Sequence, residues 1–551
     1  MAAGDWWRHG VIYQIYPRSF ADSDGDGIGD LAGITAHLDH LNDGTAASLG
    51  VDAIWLSPFY RSPMKDFGYD VSDYRDVDPM FGTLADFDEL LAQAHRRGIR
   101  VIVDLVPNHT SDQHPWFVES RSSRDNPRRD WYVWADPRRD GAPPNNWRSA
   151  FPRVGPAWTW DEATGQWYLH SFLPEQPDLN WWNPEVRRAI EDVMRFWLDR
   201  GVDGFRIDVA HKLAKDPELA DNPLIGADQV EEGLSRSERL LRGARRRVRL
   251  HDNDWPEVHD ILRRFRRLLD RYDDRMAVGE VYLLDLRDLV RYYGEAGDEL
   301  HLAHNFVFLH QPWRADRIRE TVDQFEALLP RGAWPDYFTG NHDHPRVASR
   351  YDEGGDGQAR ARAAAVLLLT LRGTPFVYQG EEIGMTDVPV PPEQARDVDG
   401  RDPERTPVPW DASPGAGFTT GRPWLPLGAG HRERNVAAQR GDPASTLSLY
   451  RRLIRLRRAS PALHAGGYRP LDGLPDGVFA YLREHGEERL LVAVRFTGTP
   501  VTAGIAGEDG PATLELSTDP ARGRGQVDLR QLGLGPNEAV VVRLGAAGAR
   551  G

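Results

Sequence analysis

The chain has 551 residues, of which 40% are hydrophobic and 28% charged, as in an ordinary globular protein. Two or three domains, or a large α/β barrel with additions, are expected at this length. The 84 acidic residues outnumber the 68 basic ones and give a formal charge of −16, which disfavours nucleic-acid binding. Because the chain has no cysteine, disulfides and thiolate chemistry are excluded.

The first residues do not resemble a targeting signal. Met1–Gly10 leads directly into an apolar segment and has no basic start, long apolar run or cleavage pattern. A run of 18 apolar residues, as a membrane span requires, does not occur. We therefore expect a cytoplasmic protein without a membrane or nucleic-acid partner. Whether it is a monomer or a homodimer stays open.

Short β-branched or aromatic runs alternate with amphipathic helical patterns over most of the chain. In Leu84–Arg97, Pro184–Arg200 and Pro256–Tyr272, apolar residues recur at the three- and four-residue spacing of a helix. Eight strands that alternate with helices predict an α/β fold, the parallel (β/α)8 TIM barrel. The predicted strands are Val11–Tyr16, Ala53–Ser57, Val101–Val106, Gly204–Asp208, Ala277–Val281, Leu302–Phe308, Tyr337–Thr339 and Phe376–Gln379.

Two segments depart from the barrel pattern. Thr110–Asp178 is rich in Trp, Pro, Asn and Arg and is too long for a loop, so it predicts a subdomain inserted after strand three. After the helical pattern Thr446–Arg458, short alternating runs punctuated by Gly, Pro and Asp predict a C-terminal antiparallel β-domain. The expected units are the barrel in two parts, the insertion and the C-terminal domain, at 1–109, 179–464, 110–178 and 465–551.

One arginine-rich run, Ser235–Leu250, has two interpretations. Clustered positive charge could bind an anionic partner. A solvated helix face is the more frequent reason for such a run, and we favour that interpretation.

Polar residues follow four of the predicted strands, where the C-terminal ends of barrel strands converge on one mouth. A single Asp there is most often a helix cap or turn residue, and a single His is most often a packing residue. Asp104 in particular could be structural and hold Arg206. Several acids that face one cavity are costly, however, unless they serve chemistry or a metal. The residues concerned are Asp104, Asn108, His109, Arg206, Asp208, Glu280, His342 and Asp343.

These residues lie in short segments that resemble the α-amylase family of retaining glycoside hydrolases over nearly the whole chain. The segments are GVDAIWLSPFYRSP (Gly50–Pro63), DLVPNH (Asp104–His109), QPDLN (Gln176–Asn180), GFRID (Gly204–Asp208), GEVY (Gly279–Tyr282), NHDHPR (Asn341–Arg346) and GTPFVYQGEEIG (Gly373–Gly384). Seven segments in register are a specific signal. QPDLN together with YQIYPRSF (Tyr13–Phe20) is similar to the oligo-1,6-glucosidase and α-glucosidase branch.

The resemblance implies three catalytic acids. Asp208 matches the nucleophile and Glu280 the general acid/base, and a retaining enzyme needs such a pair about 5–5.5 Å apart. Asp343 matches the acid that binds sugar hydroxyls and stabilises developing charge. Arg206 lies two residues before Asp208 on the same strand, so its side chain projects to the same side, and we expect it to keep Asp208 ionised.

The resemblance also implies a pocket for one terminal glucose. Asp66 would grip this glucose, Tyr69 would stack on it, and His109 and His342 would donate hydrogen bonds. The second arginine of Gly400–Pro407 approaches the 4-hydroxyl in this branch, although a loop salt bridge is the alternative. Phe151 and Phe172 are candidate pocket walls that could instead pack the insertion. The substrate-binding candidates are Asp66, Tyr69, His109, Phe151, Phe172, Gln176, Arg206, His342 and Arg405.

Acidic residues alternate with turn-forming glycines near the start of the chain. Such oxygen-rich loops bind Ca²⁺ or Mg²⁺, and a backbone carbonyl can complete the ligand set. The twelfth position is glycine and a strand precedes the loop, so it is not an EF-hand. Similar loops in the α-glucosidase branch hold a structural cation, and we expect one here. The candidate ligands are Asp22, Asp24, Asp26, Ile28 and Asp30.

The expected activity is an exo-acting retaining α-glucosidase for short α-glucosides such as maltose and isomaltose. Val209 after the nucleophile often accompanies α-1,6 preference, but His344 stands where related enzymes vary, so linkage stays open. An α-glucosyltransferase or sugar isomerase of the same family is the first alternative, although no RLDRD-like segment is present. A non-catalytic binding module is the second, and the intact acids argue against it.

Overall fold

The computed structural model describes residues 5–223, 250–508 and 510–545. The arginine-rich run Ser235–Leu250 lies outside this part of the chain except for its last residue. Among the described residues, no helix is long and apolar enough to cross a membrane.

Eight parallel strands form a nearly closed barrel. The strand order is β6-β5-β4-β3-β2-β1-β8-β7: β1 to β6 pair in chain order, β1 also pairs with β8, and β6 and β7 are the two unpaired edges among the described residues. Every residue of β1, β2, β4 and β5 is buried, because helices cover the outside and side chains fill the interior. The strands are β1 (Ile12–Ile15), β2 (Ala53–Leu56), β3 (Arg100–Leu105), β4 (Gly204–Ile207), β5 (Met276–Gly279), β6 (Leu302–Ala303), β7 (Asp336–Phe338) and β8 (Thr374–Tyr378).

One predicted strand was wrong in its length. The run Leu302–Phe308 was expected to be a strand throughout, but only Leu302–Ala303 pairs with β5. Asn305 then accepts a hydrogen bond from the backbone N–H of Phe308 at 2.9 Å and caps the short helix Phe306–Leu309. An apolar run of this length suits a strand or a buried helix equally, and here the cap decides.

The longer helices begin and end where the chain supplies caps. Thr83 and Asp86 form a reciprocal capping box at the start of Leu84–Arg96. Asn183 caps the helix that begins with Pro184, and Gly201 ends it in a left-handed conformation with a φ of 105°. The α-helices are Trp6–His9, Leu31–Ala36, Leu38–Leu41, Leu84–Arg96, Pro115–Ser122, Pro184–Arg200, Glu257–Leu269, Leu286–Leu289, Phe306–Leu309, Ala315–Leu328, Val347–Arg350, Gly357–Thr370, Val436–Arg440, Thr446–Ala459 and Pro461–His464.

The predicted insertion between β3 and β4 contains a small sheet of its own. Gln166–Leu169 is the central strand and pairs antiparallel with Trp134–Ala135 and Trp158–Asp161. An isolated bridge between His109 and Asp178 joins the two ends of the insertion at the barrel mouth. The insertion therefore lies at the C-terminal ends of the barrel strands and not at their N-terminal ends.

The C-terminal domain is an antiparallel sheet in the order β9-β10-β11-β14-β12-β13. One face of β10 packs into the main core through Phe479 and Tyr481, and the alternate residues Ala480 and Leu482 pack into a second core. The strands are β9 (Gly467–Pro470), β10 (Val478–His485), β11 (Glu488–Arg495), β12 (Ala512–Ser517), β13 (Gly525–Gln526) and β14 (Ala539–Leu544). The predicted barrel with an insertion and a C-terminal β-domain is thus confirmed.

Two buried arginines bind backbone carbonyls at the end of helix Gly357–Thr370, and one of them joins the C-terminal domain to the barrel. Arg483, on β10, donates to the carbonyls of Thr370 at 2.5 Å, Gly466 at 2.8 Å and Gly467 at 3.0 Å. Arg457, on helix Thr446–Ala459, donates to the carbonyl of Leu369, in the last turn of Gly357–Thr370, and to the carbonyl of Gly373, just beyond it. Burial lowers the pKa of Arg483 to about 10 and that of Arg457 to about 9. These guanidinium groups satisfy carbonyls that the end of helix Gly357–Thr370 leaves free.

Replacing Arg483 by Met should destabilise the protein by about 3 kcal/mol, because buried carbonyl oxygens lose their donors. The check is the thermal unfolding midpoint by calorimetry. The control is Arg469→Met on β9, where the side chain is half-exposed and pairs with Glu484, and little change is expected there. Equal midpoints for the parent and the Arg483 variant would contradict this role.

Glu381 should make stability fall as pH rises. Burial raises the pKa of Glu381 from 4.5 to about 7, although Thr339 and the Tyr378 N–H donate to its carboxyl group. A raised carboxyl pKa favours the folded state below 4.5, and this advantage, about 3 kcal/mol, is lost as pH rises toward 7.

Glu381→Gln cannot ionise, so its unfolding midpoint should fall less than that of the parent between pH 5 and pH 8. The side chain of Glu353 is 93% exposed, and Glu353→Gln serves as the control that retains the parental pH dependence. Identical pH dependence in the Glu381 variant would show that another group is responsible.

Candidate active site

The barrel ladder continues one residue past β4 and β5 and sets the positions of two acids. The backbone N–H of Asp208 donates to the Leu105 carbonyl at 2.8 Å, and the N–H of Glu280 donates to the Ile207 carbonyl at 2.8 Å. Both residues therefore stand at the C-terminal ends of adjacent strands, where barrel side chains face the mouth. Asp104, within β3, lies beside Arg206 of β4 in register.

Arg206 is bound to three carboxylates at the bottom of the mouth. Its Nη1 donates to Asp104 Oδ1 at 2.9 Å and to Asp208 Oδ1 at 2.6 Å. Its Nη2 pairs with Glu280 Oε2 at 2.8 Å. The side chain of Arg206 is only 1% exposed, and its guanidinium lies 5.0 Å from the ring centroid of Trp55. One guanidinium thus holds Asp208 and Glu280 close together.

The balance of charge in this cluster favours a bound proton. Burial, joined by the charges of Glu280 and Asp104, raises the pKa of Asp208 well above its usual value, although Arg206 opposes the shift. Burial raises the pKa of Asp104 to about 6. Arg206 therefore acts in the expected direction, since it lowers the pKa of Asp208, but burial and the two neighbouring carboxylates outweigh it.

Val209, directly after Asp208, connects the two acids through its backbone. Its N–H donates to Glu280 Oε2 at 3.0 Å. Val209 has a φ of 35°, in the left-handed region that β-branched residues rarely adopt. Strain of this kind is typical of functional sites, where the surrounding structure holds it in place. The conformation directs the N–H of Val209 at the carboxylate of Glu280.

Asp343, after β7, is bound by two arginines from the loop after β8. Its Oδ1 accepts from Arg401 Nη1 at 2.9 Å and from Arg405 Nη2 at 2.7 Å. Burial alone would raise the pKa of Asp343, but His342 and the two guanidinium groups outweigh it and hold that pKa well below its usual value. A lowered pKa favours the ionised form of Asp343.

Asp66 closes the opposite side of the mouth. Its Oδ1 accepts from Arg401 Nη2 at 2.7 Å, and its Oδ2 accepts from Gln176 Nε2 at 2.9 Å. Burial raises the pKa of Asp66, and Arg401 opposes that shift. The loops after β2 and β8 and the insertion thus meet at one carboxylate.

Sequence reasoning missed Arg401. Both arginines of Gly400–Pro407 reach Asp343, but Arg401 is the one that also contacts Asp66. Arg405 lies deeper, with 1% of its side chain exposed, and its Nε donates to the His342 carbonyl at 2.7 Å. The sequence shows two arginines in this motif, so Arg401 could have been named as a second candidate. Which of the two is more deeply buried depends on the loop conformation, which the sequence does not show.

The two candidate histidines have their Nδ1 atoms occupied by amide donors. Because Lys215 Nζ donates to Asn108 Oδ1 at 2.6 Å, the Nδ2 of Asn108 must be the group facing His109 Nδ1 at 3.0 Å. Gln14 Nε2 lies 2.8 Å from His342 Nδ1. Burial lowers the pKa of His109 to about 4 and that of His342 well below its usual value. The lowered pKa values favour neutral rings with the proton on Nε2, which lies 3.1 Å from the Tyr69 carbonyl oxygen in His109 and 2.7 Å from the Tyr69 hydroxyl in His342.

Aromatic rings form the remaining wall. Tyr69 stacks parallel to His342 at 5.4 Å between ring centroids, and its hydroxyl lies 2.7 Å from His342 Nε2. In the insertion, Phe151 and Phe172 pack edge to face at 5.4 Å. Arg401 lies over the Phe151 ring at 4.9 Å. The candidate wall residues therefore border the same cavity as the acids.

Three of the four acids predicted to bind a cation come together in the loop after β1. One carboxylate oxygen from each of Asp22, Asp24 and Asp30 lies within 4.8 Å of the others, and Asp26 is not part of this group. Asp30 also caps helix Leu31–Ala36, with its Oδ1 accepting from the Gly33 N–H at 2.6 Å. This oxygen-only set has the donor chemistry that Ca²⁺ and Mg²⁺ require.

The family model of the alpha amylase catalytic domain matches residues 14–466 of this chain. A probable alpha-glucosidase of Rhizobium meliloti (strain 1021) is 47% identical over 499 residues, which cover 88% of each chain. The oligo-1,6-glucosidase of Parageobacillus thermoglucosidasius is 41% identical, with 90% of this chain and 91% of the relative covered.

Solved structures agree with this family. A crystal structure of an alpha-glucosyl transfer enzyme superposes with a TM-score of 0.90 at 43% identity, covering 99% of this chain and 100% of the other. A trehalulose synthase superposes with a TM-score of 0.88 at 36% identity, over 98% and 100% of the two chains. Since the family match spans most of the sequence and these relatives cover nearly all of it, the chain belongs to the alpha-amylase family of glycoside hydrolases.

Proposed function

We propose that this enzyme is an exo-acting retaining α-glucosidase that removes terminal glucose from short α-glucosides such as maltose and isomaltose. The observation that carries the proposal is the binding of Asp208 and Glu280 to one buried guanidinium, that of Arg206. A retaining mechanism needs its two carboxyl groups close together, whereas an inverting one needs room between them for water.

In the first step, an oxygen of Asp208 attacks the anomeric carbon while Glu280 transfers its proton to the departing glycosidic oxygen. The products are a covalent glucosyl-Asp208 ester and the free leaving group. In the second step, Glu280 removes a proton from water as the water oxygen attacks the same carbon. The ester bond breaks, Asp208 is released as carboxylate, and α-glucose leaves with Glu280 protonated again.

The charge distribution around the two acids supports this division of roles. In the proposed mechanism Glu280 carries the proton that goes to the leaving group, and Asp208, the nucleophile, is ionised. Asp208 keeps a short hydrogen bond from Arg206 at 2.6 Å, which stabilises its carboxylate as the ester bond breaks. Asp343, ionised between two arginines, is the proposed partner of sugar hydroxyls.

The closed end formed by Asp66 and Arg401 supports exo action. The two are paired at 2.7 Å, and Phe151 lies beside Arg401, so a polymer chain cannot continue past this point. Buried charges of this kind discriminate strongly for a hydroxyl-bearing ligand, because they stay unsatisfied without it. One terminal glucose, with its 4-hydroxyl toward Arg401, fits this end. Arg405 then acts by holding Asp343 and the backbone at His342.

Transfer of glucose to a sugar or alcohol is the second candidate, since the same covalent intermediate serves both reactions. The similarity to the crystal structure of an alpha-glucosyl transfer enzyme, at 43% identity, favours it. Product analysis with maltose in the presence and absence of an added alcohol separates the two. If more of the transferred glucosyl groups appear as glucosyl alcohol than as free glucose, the enzyme is a transferase.

We also propose that the acidic loop after β1 binds a structural Ca²⁺ or Mg²⁺ through Asp22, Asp24 and Asp30. The proximity of their oxygens supports this, as does the cost of holding three carboxylates together without a cation. The ion would stabilise the segment between β1 and helix Leu31–Ala36, and it takes no part in the proposed reaction.

The first test follows the anomer released from 4-nitrophenyl α-glucoside by proton NMR. α-Glucose should appear first, followed by slow mutarotation, because two displacements restore the starting configuration. Initial release of β-glucose would overturn the retaining mechanism.

In the same assay, Asp208→Asn and Glu280→Gln should each lower kcat/KM by at least about a thousandfold, because each removes a reacting group. Matched thermal midpoints are needed to separate lost chemistry from lost folding.

Removal of divalent cations should lower the thermal unfolding midpoint, and Ca²⁺ at about a hundred times its Kd should restore about 2.7 kcal/mol of stability. In Asp24→Asn, which loses a proposed ligand that is exposed and caps no helix, the response to Ca²⁺ should be much smaller. Asp43→Asn, in an exposed turn elsewhere, is the control with a full response. Calorimetry that detects no cation binding to the metal-stripped parent would rule out the site.

A further inference from the structure

Asp397, a buried carboxylate in the loop after β8, holds Arg401 by one edge of its guanidinium. Asp397 is 7% exposed. Its Oδ1 accepts from Arg401 Nη2 at 2.6 Å, and its Oδ2 accepts from Arg401 Nε at 3.0 Å. This is the bidentate arrangement in which a carboxylate fixes both the position and the plane of an arginine.

The backbone around Asp397 keeps its carboxylate in place. Its Oδ2 also accepts from the N–H groups of Arg401 at 2.8 Å and Asp399 at 3.0 Å. Asp402 Oδ2 accepts in turn from the N–H groups of Arg396 at 2.6 Å and Asp397 at 3.0 Å. The loop is thus folded around two carboxylates, and the side chain of Asp397 cannot shift without breaking several hydrogen bonds.

Asp397 also stays charged under ordinary conditions. Burial acts against ionisation, but the hydrogen bonds and charge of Arg401, with the charge of Arg405, bring the pKa of Asp397 down to about 2. The bidentate contact between Asp397 and Arg401 therefore persists at neutral pH.

The contact determines where the rest of Arg401 points. With Nε bound to Asp397, Nη1 lies against Asp343 at 2.9 Å and Nη2 reaches Asp66 at 2.7 Å. A free arginine side chain has about 2 kcal/mol of rotamer entropy. The contact with Asp397 restricts Arg401 before a ligand binds, so that less of this entropy is lost on binding. Because the guanidinium is planar, fixing one edge orients the other edge toward the pocket.

We propose that Asp397 is a positioning residue for recognition of the terminal sugar: it orients Arg401 so that the pocket binds the 4-hydroxyl of the non-reducing glucose. Asp397 contacts Arg401, the loop backbone and, at the longer distance of 3.5 Å, Arg405 Nη1, and we expect it to act on the sugar through Arg401. The inference rests on the proposed α-glucosidase function, which it extends to the group that selects the terminal hydroxyl.

The experiment compares Asp397→Asn with the parent on 4-nitrophenyl α-glucoside and on its 4-deoxy analogue. Asparagine keeps the shape but presents an N–H₂ group where Arg401 needs an acceptor. KM for the glucoside should rise about tenfold, the effect of losing one charge-assisted hydrogen bond, with kcat changed by less than about threefold. With the 4-deoxy substrate, variant and parent should have the same KM. Glu393→Gln, an exposed carboxylate in the same loop, is the control with parental kinetics on both substrates.

A merely structural role gives a different pattern. If Asp397→Asn raises KM equally for both substrates, or lowers only kcat, the proposal is overturned. Arg401→Lys keeps the positive charge but loses the guanidinium that binds Asp397 through two N–H groups. It provides a second measurement if Asp397→Asn does not fold. In this variant too, KM should rise for the glucoside and not for its 4-deoxy analogue. An equal rise in KM for both substrates would overturn the proposal. In the double variant, Asp397→Asn should add no further increase in KM.

Failure of the proposed function is recognised separately. If the parent cleaves neither glucoside, the α-glucosidase proposal fails, and the role of Asp397 is then read from calorimetric binding of 1-deoxynojirimycin, a glucose-shaped amine. A Kd about tenfold weaker in Asp397→Asn, with no difference for the 4-deoxy form, supports the inference. Equal affinities of parent and variant, or no binding by either, overturn it.

Discussion

The site depends on one buried guanidinium that three carboxylates share. Arg206 draws Asp104, Asp208 and Glu280 from three adjacent strands into contact with a single side chain. Such a group is stable only as a whole, since removal of one partner leaves buried charge uncompensated. The parallel barrel is what makes the arrangement possible, because neighbouring strands end at the same mouth.

The opposite end of the pocket has a different ratio of charges, and its acids behave differently. There, Arg401 and Arg405 face Asp66, Asp343 and Asp397. With two cations, Asp343 has a pKa well below its usual value, whereas with one cation Asp208 has a raised pKa. The partners of each buried carboxyl group, and not burial alone, thus decide the direction of its pKa shift.

The sequence predicted those parts of the molecule that depend on local pattern. Eight apolar runs alternating with helices predicted the barrel, and acids placed directly after strands predicted which side chains would meet. The length of β6 was mispredicted because a cap at Asn305, rather than hydrophobicity, ends the strand. Arg401 was missed, and the effect of burial on the pKa of Asp208 was not predicted, for a shared reason. Both depend on burial and on partners distant in sequence, such as Asp66 and Glu280.

The left-handed backbone at Val209 has a consequence for engineering this enzyme. The N–H of Val209 is hydrogen-bonded to the carboxylate of Glu280, so this peptide unit acts together with Arg206 to hold Asp208 and Glu280 in place. A designer who wished to widen the space between these two carboxyl groups could not do it by trimming one side chain. The turn after β4 would have to be rebuilt first.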